Sequence, residues 1–559
     1  MCELNLSLSE LKNRTSAERF KEYGLLTKES PEYRNLSQNE KDVLWGLLGT
    51  VELIDQVHFK LENINNEKYI NYLSKGIKNG DERAVLTAKL FYAQKSAFSP
   101  DREGKQISLF KGDSQPLACA FYPNDLANIE LVDIINKMLD RGKVEKVKKV
   151  LSSHTVVLRD NDELVGYYYE EYFNEFKTLA EKLTSVAGVS KDLSLKNYLL
   201  ALAKYFSYPT DENLLKADTL WVELNSKIEY CVTRESYEDC LTSGLINNKP
   251  LYERLTKLGV IVAPKDSIGL RIGIVNTDGT KFIKKLGTLI DVARENMPQK
   301  KHYYNSLTSE SSGFQAQQDV DIVALAGDEG AYRAGVVLAQ NLPNNDKLCA
   351  GKYNKRKNIF HRQFRSVVNM DVIKTKISQQ QLKFYSTEAE HIATICHENT
   401  HSLGPKNKSC GKFTSILEEF KADLGAIAFL NEYVSSGVIN FDTAMQIVVS
   451  NLSGNFLKAK PNLSQAHRVR SVMYANILLK AGAIKLDAEQ KLVFNYEKIV
   501  HESKKILEKI VNIQINEDVL AAEKFVDETF VWTSEMEAIA SRVKKADKVL
   551  NGYVKQYIF

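Results

Sequence analysis

The stretch STEAEHIATICHENTHSLGP, residues 386–405, decides how the rest of the chain is read. The chain holds nine histidines in 559 residues, yet His397 and His401 stand four apart, with Glu398 directly after the first. Thr387 and Glu390 have the spacing of a capping box, and Gly404 and Pro405 give a stop. The pattern predicts a helix over 388–403. Residues i and i+4 lie one above the other on a helix face. Two imidazoles so placed can both reach a zinc ion at roughly 2.0–2.1 Å. Glu398 lies about 100° further round the helix. It need not ligate and is placed to take a proton from an activated water.

Two histidines are not a complete site, because a catalytic zinc takes a third protein ligand and keeps one position open. The run TSILEEFKADLGAIAFLNEY (414–433) predicts a second helix whose buried face carries Ile416, Leu417, Phe420, Leu424 and Ile427. Glu419 and Asp423 are four apart and project from one side of it. Glu419 is the expected third ligand. Asp423 is expected to accept a hydrogen bond from the far nitrogen of a ligating histidine and so fix its tautomer. Glu418 either supports a ligand from outside or is an ordinary surface acid.

Bulk properties exclude several classes. With 75 basic and 71 acidic residues the net charge is +4, too even to argue for nucleic acid or a membrane surface. No run approaches the roughly 20 apolar residues of a membrane helix. The first twenty residues lack the apolar core of a signal peptide. Seven scattered cysteines with no CxxC pair argue against a disulfide framework and against a cysteine-held metal. Cys396 reads as a small core residue, and His391 as structural. A cytoplasmic setting is expected. Nothing in the sequence sets the oligomeric state.

The length suggests more than one domain. Region 1–224 reads as largely helical, with a hairpin over 154–169. Region 225–365 is rich in short β-prone runs: GVIVAP, LRIGIV, DIVALA and GVVLAQ. Region 366–559 is helical and carries the metal motifs. The basic stretch KYNKRKNIFHRQFR (352–365) reads as a surface connection.

With the histidine pair and LEEFKAD (417–423) in view, the chain resembles the dipeptidyl peptidase III family of zinc metallopeptidases. That family pairs a histidine–glutamate–histidine motif with EExxA(E/D) on a later helix. The first motif here, HENTH, is one residue shorter than the HExxGH of most members. ACAFYPNDL (118–126), RESYEDCL (234–241), AQNLPNND (339–346) and QAHRVRSVMYANILLKAG (465–482) follow in family order. The resemblance implies that Tyr237 donates to the scissile carbonyl oxygen and that His467 stabilises the developing oxyanion. It implies that Glu235 holds the substrate's free amino group and that Asn341 and Asn344 bind the peptide main chain. The arginine of the last motif falls one residue early, at Arg470, and no role is carried over to it.

The expected fold is α+β, mainly α, in two lobes: a helical catalytic lobe and a mixed lobe with a β-barrel core, flanking an active-site cleft. The expected function is a zinc-dependent exopeptidase, with one zinc per chain, that releases N-terminal dipeptides from short peptides. Two alternatives stay open: a zinc hydrolase of other specificity, aminopeptidase-like, and a non-catalytic peptide-binding protein with a structural zinc.

Overall fold

The structure, a computed structural model, describes residues 2–23, 26–100, 106–113, 117–236, 240–303, 316–327, 339–343, 357–361, 369–405, 408–463, 465–547 and 551–554. Helices dominate the described residues, with strands concentrated between Ile228 and His361. The chain forms two compact units. One comprises Met1–Ile274, Asp321–Val336 and Val549–Phe559, and the other Val275–Val320 and Val337–Lys548. The β-prone stretch is therefore divided between them.

In the first unit the apolar spacing at 40–59 makes two helices, Gln38–Leu48 and Val51–Glu62, the former opened by a capping box between Ser37 and Glu40. Leu11, Leu73 and Phe91 are fully buried in the N-terminal core. Tyr69 and Phe110 stack there with centroids 3.7 Å apart. The hairpin forms from β1 (Thr155–Asp160) and β2 (Glu163–Tyr168), with Asp160 paired to Glu163. Its two-residue turn places Asn161 at φ 55°, a left-handed conformation that asparagine tolerates. Strands β3 (Ile228–Ser236) and β4 (Asp266–Asn276) pair antiparallel, from Ile228 opposite Ile274 to Ser236 opposite Asp266. The run GVIVAP is not a strand. The Val260 N–H closes onto Leu255 O at the end of helix Lys249–Lys257, and irregular backbone follows.

Strand β5 (Ala316–Gly327) crosses from one unit's sequence to the other. In the second unit its first five residues pair parallel with β7 (Lys357–His361), and β7 pairs antiparallel with β6 (Ala339–Leu342). Strand β7 corrects the reading of 352–365 as a surface connection, because all five of its residues are buried. Strands covered on both faces need not alternate polar and apolar residues, and the flanking charges masked the Ile359–Phe360 core of this one. The expected barrel is not found among the described residues. The largest sheet has five strands in open order, and the others have two.

The second unit's core is helical. It includes α1 (Thr387–Thr400), α2 (Thr414–Ile427), α3 (Ala466–Lys480) and α4 (Tyr496–Asn516). The helix expected over 414–433 breaks after Ile427 and resumes at Leu430–Ser435. Helices α1 and α2 approach closely at Gly425, where an added Cβ would lie 1.9 Å from Thr400 Oγ1. Among the described residues, no helix is long and apolar enough to cross a membrane.

Candidate metal centre

Helix α1 starts one residue earlier than the capping-box reading gives. The Ser386 hydroxyl, not that of Thr387, accepts the Ala389 N–H at 3.3 Å. The helix closes at Thr400, with His401 as its C-cap. His397 and His401 thus occupy its last turn. Gly404 follows at φ 82°, a conformation costly for residues with a side chain. The Lys421 ammonium donates to Leu403 O at 2.9 Å and ties this turn to α2.

Three ligand-type atoms converge at the junction. His397 Nε2 and His401 Nε2 are 3.1 Å apart. Glu419 Oε2 lies 3.4 Å from the first and 3.7 Å from the second. A point equidistant from all three lies about 2.0 Å from each, the length of a zinc–nitrogen bond. These three residues are the only group among the described residues whose His, Cys, Asp or Glu atoms cluster closely enough to hold an ion. The donor set, two imidazoles and a carboxylate, suits zinc.

Each imidazole is fixed from behind. His397 Nδ1 donates to Asp423 Oδ1 at 2.7 Å, and His401 Nδ1 donates to Glu418 Oε1 at 3.2 Å. With both Nδ1 atoms so engaged, each ring presents Nε2 to the centre. A cation backs each carboxylate in turn. Arg470 ion-pairs with Asp423 and donates to Asn455 Oδ1 at 3.1 Å. The buried Lys421 ammonium stands 2.9 Å from Glu418 Oε2, which also accepts from Gln514 Nε2 on α4 at 3.1 Å. Arg470 and Lys421 are functional candidates that the motif reading left without roles. The available signal was the buried acid itself: an aspartate on an apolar helix face needs a partner.

The charges follow from these contacts. Burial alone would lower the His397 pKa, but its hydrogen bonds to Asp423 and Glu419 outweigh burial and push it up to about 10. Burial alone would raise the Glu418 carboxyl, yet Lys421 and His401 hold it at about 2. Glu419 and Asp423 are likewise held below the usual carboxylate range against burial, by His467 and His401 for the first and Arg470 and His397 for the second. All three carboxylates are thus favoured in their anionic form by the cationic groups beside them.

The remaining candidates fall in several places. Glu398 is buried beside His397, and its carboxylate makes no hydrogen bond or ion pair among the described residues. His467, on α3, places Nδ1 3.0 Å from Glu419 Oε2. Asn341, on β6, donates from Nδ2 to the Glu398 carbonyl at 3.4 Å. Glu235 is the second-last residue of β3, but its side chain lies outside the described residues, as do Tyr237 and Asn344. Burial pushes the Cys396 thiol up to about 12, consistent with an inert core cysteine. His391 packs between Phe282 and Phe360.

Two known structures share the fold over nearly the whole chain. The DPP III structure from Caldithrix abyssi superposes with a TM-score of 0.76 at 20% identity, covering 97% of this chain and 98% of that one. The dipeptidyl-peptidase III of Corallococcus sp. strain EGB gives 0.77 at 18% identity, covering 99% and 98%. The chain has a dipeptidyl peptidase III-like fold. No protein-family model matches it. In sequence it is 22% identical over 443 residues to Nudix hydrolase 3 of Arabidopsis thaliana, which takes in 73% of this chain. The chain spans about half, 53%, of the length of that curated relative. Within the dipeptidyl peptidase III-like fold, the triad of His397, His401 and Glu419 is drawn from two helices that meet at Gly425.

Proposed function

We propose that the chain is a zinc-dependent exopeptidase that hydrolyses short peptides and releases N-terminal dipeptides. The observation that carries this reading is the convergence of His397 Nε2, His401 Nε2 and Glu419 Oε2 around one point, with an uncommitted Glu398 carboxylate on the same turn. The dipeptidyl peptidase III-like fold supports the substrate class. His397, His401 and Glu419 would hold the ion, which when bound supplies Lewis acidity to water and to the carbonyl under attack.

The chain's own groups supply the rest. Glu398 takes the proton of the attacking water and passes it to the departing amine. Tyr237 and His467 donate to the carbonyl oxygen as it gains charge, where fixed donors are typically worth orders of magnitude in rate. Glu235 pairs with the substrate's α-ammonium, while Asn341 and Asn344 bind its main chain. Asp423 and Glu418 hold the two imidazoles in the tautomer that presents Nε2.

The test combines metal analysis of the purified protein with a panel of aminoacyl, dipeptidyl and tripeptidyl arylamides, with and without chelator. The expected result is one zinc per chain and chelator-sensitive cleavage of dipeptidyl substrates. Glu398→Gln should keep its zinc and lose about 10²–10⁴ in kcat. Cleavage of aminoacyl substrates alone would replace the dipeptidyl assignment with an aminopeptidase one. Peptide binding without turnover would replace it with a binding protein.

A further inference from the structure

The residue directly after the proposed base, on the last turn of the metal helix, is an asparagine, and it is buried. Asn399 is 2% exposed. Asparagine is a poor helix former, and a buried amide is costly without partners. The sheet partners the oxygen of that amide, while Nδ2 is buried without a hydrogen-bond partner among the described residues. Asn399 Oδ1 accepts from Gln317 Nε2 at 2.6 Å and from Asn358 Nδ2 at 3.0 Å.

The two donors occupy one row of the sheet. Gln317 on β5 is directly opposite Asn358 on β7, and Asn358 is directly opposite Asn341 on β6. Residues in such a row point to the same face. Within the row Asn341 Nδ2 donates to Asn358 Oδ1, and Gln317 joins it through the shared Asn399 oxygen. It closes on the helix a second time through the Asn341 contact to the Glu398 carbonyl. Three amide side chains from three neighbouring strands therefore dock on residues 398 and 399, through one side-chain oxygen and one backbone oxygen.

We propose that Asn399 is a positioning residue that sets the register of the peptide-binding strand β6 against the metal helix. This rests on the peptidase reading above, in which Asn341 holds substrate main chain and Glu398 is the base. Through Asn358, the Asn399 oxygen fixes where the Asn341 amide stands relative to Glu398. A merely structural asparagine would affect stability and metal retention. A register device affects how well the peptide is held.

Asn399→Leu keeps the size and removes the acceptor. Asn399→Asp keeps the acceptor, and Asn358→Leu removes the intermediate amide. Each is assayed for zinc content, for kcat and KM on a dipeptidyl arylamide, and, in a zinc-loaded Glu398→Gln background, for the Kd of tetra-alanine by calorimetry. The expected result is a rise of about tenfold or more in KM and in the tetra-alanine Kd for Asn399→Leu and Asn358→Leu. Zinc content should stay at one, and kcat should change less than about threefold. The double Leu variant should be no worse than either single one, and Asn399→Asp should recover most of the loss. Zinc loss or a fall in kcat alone would overturn the proposal, as would unchanged KM and Kd. Should Asn399→Leu fail to fold, Asn358→Leu and Asn399→Asp carry the same comparison. A wild-type protein that neither cleaves the arylamide nor binds tetra-alanine would instead overturn the peptidase reading, and this proposal with it.

Discussion

At the residue scale the centre consists of two parallel chains of contacts, His397–Asp423–Arg470 and His401–Glu418–Lys421. Each ends in a cation that stabilises the carboxylate orienting an imidazole. Removing the terminal cation should therefore weaken metal binding without touching a ligand. Arg470→Leu leaves Asp423 buried with its charge unbalanced, so it should draw a proton and lose its grip on His397 Nδ1. Loss of such an orienting contact typically costs 10–100-fold in metal affinity. A chelator-competition titration of Arg470→Leu should show a zinc Kd raised in that range, and an unchanged Kd would remove Arg470 from the site. The clustering of His397, His401 and Glu419 was legible in the sequence because HExxH and a following ExxxD constrain both spacing and residue type. Arg470 was not, because its position one residue from the family pattern hides a partner that only the packing of α3 against α2 supplies.

At the element scale the centre depends on how closely α1 and α2 pack. Gly425 sits where any Cβ would overlap the Thr400 side chain, 1.9 Å from Oγ1, 2.5 Å from Cγ2 and 2.6 Å from Cβ. Gly425→Ala must push the helices apart, and overpacking of this kind costs about 1–3 kcal/mol. Because the proposed ligands lie on both helices, zinc affinity should fall along with the melting temperature. Thr400→Gly removes all three clashing atoms, so the double variant should regain part of both. A double variant no better than Gly425→Ala alone would mean that the contact does not set the spacing. The glycine's role was hidden in the sequence, where a mid-helix glycine reads only as a weak spot. The start of α1 was legible to within one residue and its end to within three, since Ser386, Thr387 and Gly404 are local signals. The break after Ile427 was not, because AIAFL keeps helical spacing across it. Strand β7 was hidden for the opposite reason: its buried Lys357, Asn358 and His361 read as solvent-facing, and only their partners in the sheet make burial tolerable.

At the scale of the whole molecule, the unit without the metal triad carries a buried charge cluster of its own. His154 Nδ1 donates to Asp266 Oδ1 at 2.7 Å, and Nε2 to Glu170 Oε1 at 2.9 Å. Glu170 Oε1 also accepts from Arg234 at 2.8 Å and from the Tyr205 hydroxyl at 2.6 Å. These residues come from widely separated segments, so the cluster ties the start of β1 and strands β3 and β4 to the neighbouring helices. Burial alone would raise the Glu170 carboxyl, but His154 and Arg234 pull it down to about 2. Burial and Arg234 would lower the His154 imidazole, but Glu170 and Asp266 outweigh them and raise it. The signs give a window. Glu170 contributes stability that is complete above its unfolded pKa, about 4.3, and is lost as pH falls toward about 2. His154 contributes stability that is complete below its unfolded pKa, about 6.5, and is lost as pH rises through its raised folded value. The cluster is thus worth most between about pH 4.5 and 6.5. Glu170→Gln should cost about 3 kcal/mol there, the range for breaking one partner of a buried pair. The deficit relative to wild type should shrink by about half at pH 3, and again above neutrality as His154 releases its proton. Urea unfolding of both proteins from pH 3 to 9 reads this directly, and a deficit constant across that range would show that the cluster acts through packing rather than charge.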